Sequence, residues 1–143
     1  MYLELFVWHF KEIGEAETRT IHILDESAQG IPKGEYALVE SYCTDRKCDC
    51  QRVMLNVVSK DKGHVASISF GFDLKDPMSG PFLDPLNKQS PYAEDLLQLA
   101  KDLVLSDADY VARLKRHYTM MKDKLAHSQS AGKWWKKKPR KLR

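Results

Sequence analysis

The chain has 143 residues, 43% of them apolar and 30% charged, which excludes a disordered segment and fits one domain able to bury roughly two-thirds of its unfolded surface. Of the 23 Lys and Arg, 7 fall between 133 and 143, leaving 16 against 20 acids, so a mildly acidic body of net −4 precedes a terminus of +7. No run approaches the roughly 18 apolar residues that cross a bilayer, and the opening Leu3 to Phe10, broken by Glu4, lacks the flank and cleavage site of a secretory signal.

Leu3, Phe6, Val7 and Phe10 recur at helical spacing, with Gly14 placed as a C-cap after Ile13, although Leu3, Leu5 and Val7 also alternate as a strand would. The helix is the expectation here. Thr20 to Leu24 is a short β-type run, and the loop Gly30-Ile31-Pro32-Lys33-Gly34 separates it from a second run, Tyr36 to Tyr42. Valine-rich Arg52 to Ser59 comes next, and Asp61-Lys62-Gly63 turns it into Val65 to Phe72. That last run puts Ala66, Ile68, Phe70 and Phe72 on one face and Ser67, Ser69 and Gly71 on the other. Four strands with short connections predict an antiparallel meander covered on one face.

Pro77, Pro81 and Pro85 mark residues 73 to 90 as an irregular connector. Ser90 followed by Pro91 predicts a helix start, with Leu96, Leu99, Ala100 and Leu103 as its stripe. Ser106 and Asp109 predict a second start, before Val111, Leu114, Tyr118, Met121 and Leu125 at a 3.6 period. The expected fold is α+β: a small, mainly antiparallel sheet of about four strands against two C-terminal helices. The single domain spans 1–127, and 128–143 is a basic, flexible tail.

All three cysteines lie within eight residues, at Cys43, Cys48 and Cys50. An odd, tightly clustered set argues against a disulfide framework and for a reducing, cytoplasmic setting. If the flanking strands form a hairpin, Cys43 closes one strand while Cys48 and Cys50 return on one face of extended chain. Three thiolates in a polar loop form most of a zinc shell. For the fourth ligand, His64 and His22 lie too far along their strands. Asp45, Asp49, Asp73 and Asp76 remain candidates, and His117 on the last helix is the first choice because imidazole completes thiolate sites readily. Redox chemistry is the alternative, with Cys48 and Cys50 as a dithiol whose pKa Arg46, Lys47 and Arg52 would lower.

The run YCTDRKCDCQRVMLNVV, with FLDPLNKQSPYAEDLL and YVARLKRHY later, resembles a group of uncharacterised bacterial proteins with a Cys-x-Asp-x-x-Cys-Asp-Cys-x-Arg-Val pattern. In that group the segment is often followed by a metal-binding motif of the SecA-tail (SEC-C) type. The resemblance covers about residues 13 to 125 and implies metal binding at Cys43, Cys48 and Cys50. This chain departs at its end, where Gly132-Lys133-Trp134-Trp135-Lys136-Lys137-Lys138 contains no cysteine.

Lys133, Trp134, Trp135, Lys136, Lys137, Lys138 and Arg140 combine positive charge with indole rings, a composition that engages phosphate and unpaired bases. An acidic protein surface, an anionic membrane or plain solvation would also suit it. No phosphate loop, nucleophile elbow or His-Glu-x-x-His helix is present in the sequence. Asp73, Asp76 and Asp84 sit among prolines as ordinary loop acids. The expectation is a zinc-binding, non-enzymatic adaptor.

Overall fold

A computed structural model describes residues 3–25 and 30–137, with side chains described as far as 127. The expected meander is present as β2 (Arg19–Ile23), β3 (Gly34–Cys43), β4 (Arg52–Ser59) and β5 (Gly63–Gly71), all antiparallel. Two further strands bring the sheet to six. β1 (Leu3–Leu5) pairs with the far half of β3, Leu3 opposite Cys43, along the same edge that β2 occupies nearer the start of β3. β6 (Phe82–Leu83) pairs with β5 inside the proline-rich connector. Beyond it, the Gln89 side-chain amide continues the pattern, accepting from Ser67 N–H at 3.0 Å and donating to Ser67 C=O at 3.1 Å.

The N-terminal segment corrects the single-helix expectation. Alternation wins at Leu3–Leu5 because the end of β3 offers an unpaired edge there, and only then does the chain coil into α1 (Phe6–His9) and α2 (Lys11–Glu17). Gly14 is no C-cap; it lies within α2. A Cβ there would stand 2.9 Å from Val7 Cγ2 and 3.0 Å from Val7 Cα, so the residue is small because α1 and α2 touch.

One face of the sheet carries Tyr36, Leu38 and Tyr42, then Val53, Leu55 and Val57, then Ala66 and Ile68, all buried. Burial of these side chains at about 25 cal/mol per Å² drives the packing. They meet α3 (Ala93–Leu99), the π-helical turn that continues it (Ala100–Val104), and α4 (Ala108–Lys137) through Leu96, Val104, Tyr110, Leu114 and Met121. On the opposite face, Asn56 donates to Ser41 Oγ at 2.9 Å and accepts from Ser67 Oγ at 3.1 Å, so this side carries a polar network between strands.

Both predicted helix starts shift. α3 begins at Ala93, after a turn in which Ser90 C=O accepts from Ala93 N–H at 3.1 Å, and Ser90 Oγ has no partner among the described residues. α4 is capped by Asp107, whose Oδ1 accepts from Asp109 N–H at 3.0 Å and Tyr110 N–H at 3.4 Å, while Ser106 turns back to Asp102 C=O. Aspartate is as good an N-cap as serine, and its charge also suits the helix dipole. The helical backbone of α4 continues through Lys137. The side chains of 128–137 and all of 138–143, including Lys138 and Arg140, lie outside the described residues.

Candidate metal centre

β3 ends at Cys43 and β4 begins at Arg52, so Thr44 to Gln51 form the hairpin tip. Cys43 stays anchored by β1 and is buried, whereas Cys48 and Cys50 are half-buried and Asp45, Arg46, Lys47 and Asp49 are exposed. The loop folds locally around Asp45: its Oδ1 accepts from Lys47 N–H at 2.9 Å and its carbonyl from Cys48 N–H at 3.0 Å. An aspartate bonding two residues on is the usual driver of such a turn. Gln51, at φ 49°, then swings the chain back into β4.

This geometry brings the three Sγ atoms within 4.8 Å of one another. Tetrahedral zinc with Zn–S bonds of 2.3 Å sets sulfurs about 3.8 Å apart, so a contraction of about 1 Å at most closes the shell. All three cysteines are free. Burial, reinforced by the Cys48 thiol beside it, pushes the Cys50 thiol up to about 11. A divalent cation would reverse that, since coordination deprotonates thiols outright.

Two α4 residues one turn apart hold the tip, and sequence reasoning assigned neither to it. Tyr118 Oη accepts from Gln51 N–H at 3.1 Å and donates to Asp49 Oδ1 at 3.2 Å. Its phenol, pushed up to about 12 mainly by burial, stays protonated for that role. Lys122 Nζ donates to the carbonyls of Asp45 at 3.0 Å and Cys48 at 2.6 Å. The signal available in the sequence was their i, i+4 spacing on the helix that also carries Leu114 and Met121.

His117 does not join the cysteines. It is fully buried, with Nδ1 at 2.7 Å from Glu40 Oε1, Nε2 at 2.6 Å from Glu17 Oε1, and its ring stacked on Phe6 at 4.0 Å. Neither ring nitrogen is free for a metal. The other candidates are also placed elsewhere or engaged. His22 lies opposite Glu35, and His64 beyond the far turn bonds Ser67 Oγ at 2.7 Å. Asp73 accepts from Lys75 N–H, Asp76 pairs with Arg52 at 3.5 Å, and Asp49 is held by Tyr118. Among the described residues, the group able to hold an ion consists of Cys43, Cys48 and Cys50.

Arg52, a resembled-motif residue, works in the sheet: its guanidinium donates to Ser69 Oγ at 2.9 Å and lies over the Phe82 ring at 5.5 Å. No helix among the described residues is long and apolar enough to cross a membrane. No family model, curated protein or solved structure matches this chain.

Proposed function

We propose that the chain is a zinc-binding, non-enzymatic adaptor of the cytoplasm, its metal held by Cys43, Cys48 and Cys50 and its basic terminus contacting nucleic acid or an acidic protein surface. The observation that carries the metal reading is the convergence of three free sulfurs within 4.8 Å in a polar loop. Cys43 is buried as a small apolar residue would be, but Cys48 and Cys50 are only half-buried beside exposed charges. The motif residues take supporting roles compatible with the bacterial metal-binding group that the chain resembles: Asp45 shapes the turn, and Asp49 ties it to α4. The core cluster is built from sheet and helix residues, with Cys50 packed at its edge, so zinc would order the loop and leave the rest of the fold intact.

The competing redox reading on Cys48 and Cys50 needs a thiol pulled down toward neutrality. Cys50 is pushed the other way by its burial, and this counts against it. Seven cations and two adjacent indoles between 133 and 143 support the polyanion contact. Metal analysis and native mass of protein purified without chelator test the first part: one zinc per chain, lost in each of Cys43→Ser, Cys48→Ser and Cys50→Ser, is expected. Three freely titrating thiols with no metal would overturn it. For the terminus, single-stranded RNA binding should weaken steeply with salt and vanish on deleting 133–143; undiminished binding by the truncated chain would refute that contact.

A further inference from the structure

We infer that the metal at the hairpin tip keeps its fourth position for a soft monodentate donor from outside the chain, an imidazole or a thiolate; this rests on the metal reading above. Four-coordinate zinc needs one ligand beyond the three sulfurs, and a position left to an exogenous donor is what separates exchangeable sites from closed structural ones. No described histidine, aspartate or glutamate completes the group. The best candidates are committed to other work: His117 to Glu17 and Glu40, Asp49 to Tyr118, and Asp45 to the turn.

Residues 128–143 contain no cysteine, histidine, aspartate or glutamate side chain. β2 ends with Ile23 opposite Gly34, nine residues of strand from Cys43, or about 30 Å at the usual rise. Among the described residues, that end of the sheet therefore brings no further side-chain donor.

The access side follows from burial. Cys43 is buried, while Cys48 and Cys50 are half-buried among exposed Asp45, Arg46, Lys47 and Asp49, so an outside donor would reach the sulfurs from the Cys48 and Cys50 side. Charge and ligand softness bear on the ligand class. A divalent ion with three thiolates carries one net negative charge, and the Lys122 ammonium sits on the carbonyls of Asp45 and Cys48 to offset it. Charge alone does not separate a thiolate from a carboxylate, but the soft sulfur ligands already present favour soft or borderline donors, an imidazole or a thiolate, over carboxylate.

Full-length protein loaded with one equivalent of Co(II) provides the test. Thiolate-to-cobalt charge transfer in the near ultraviolet and tetrahedral ligand-field bands should appear. Titration with imidazole, and separately with 2-mercaptoethanol, should move the ligand-field bands through isosbestic points to a one-to-one end state, with charge transfer retained; acetate should leave them in place. Bands unmoved by either donor up to the concentration that strips the cobalt would overturn the inference. So would ligand-field bands that shift in Asp45→Asn or Asp49→Asn, variants that keep a hydrogen-bond acceptor but supply a poor ligand, because a chain carboxylate would then hold the position. Absence of charge transfer in the wild type, or its full retention in Cys48→Ser, would instead sink the metal reading itself.

Discussion

Replacing Glu40 tests the buried tie between β3 and α4. Glu40 faces the core at 5% exposure, accepts from Tyr42 Oη at 2.6 Å and pairs with His117 Nδ1 at 2.7 Å. Glu40→Ala strands that ring nitrogen and leaves Tyr42 with its longer bond to Leu114 C=O at 3.2 Å. Removing one partner of a buried polar pair costs about 3–5 kcal/mol. For a chain of 143 residues that corresponds to a Tm lowered by about 10–15 °C. Urea unfolding should show a lower midpoint at unchanged slope, the mark of lost stability without a change in surface exposed. The paired variant Glu40→Leu with His117→Phe keeps the stack on Phe6 and strands less, so it should lose under about 2 kcal/mol, far less than the singles together. A single-variant cost below about 1 kcal/mol, or strict additivity in the double, would show that the three side chains do not act as one unit.

Other outcomes are equally specific. Lys122→Ala should lower metal affinity by about tenfold, as loss of an outer support does, read by competition with a chromophoric chelator; an affinity within twofold of wild type refutes the clamp. Gly14→Ala should destabilise by about 1–3 kcal/mol despite alanine's helix preference, because the added Cβ meets the Val7 backbone; a stabilised variant would mean α1 yields freely. The carboxyl of Glu17 is held below its ordinary range, first by its hydrogen bond to His117 and then by Arg116, and that of Asp107 chiefly by the Asp109 N–H. A lowered folded value stabilises above the ordinary carboxylate range and loses that contribution as pH falls through the folded value. Stability should therefore drop on acidification below the normal carboxylate range, and Glu17→Gln should flatten that drop in pH-dependent thermal melts. An identical acid limb in Glu17→Gln would remove the residue from this role.

Alternation made the central strands legible: Arg52–Ser59 is a strand over the full span that its sequence predicts, and the cysteine tip follows from the hairpin around it. The failures have physical causes. Leu3 to Phe10 satisfies both periods, and the choice was made by an open β3 edge that no local pattern reveals. β6 is two residues long, too short for alternation to register. His117 lies seven residues after Tyr110 and three after Leu114, in register with the buried face, and Glu40 keeps the parity of Leu38 and Tyr42. Two polar residues each in an apolar register signal a buried pair, but only once it is known that this strand faces this helix. The sequence placed His117 near a metal because imidazole is a good ligand, while the fold uses it as a cross-brace.

The outer rim of β5 has a further consequence. With Gln89 standing in for a neighbouring strand at Ser67, and Ser79 and Ser90 bonding Gly71 and Val65, the stretch of β5 open to a foreign peptide backbone is already saturated. A hydrophobic sheet with an open flank invites runaway stacking between copies; here a glutamine amide closes it. Binding through β-augmentation is thereby blocked on this flank, and recognition there must go through side chains.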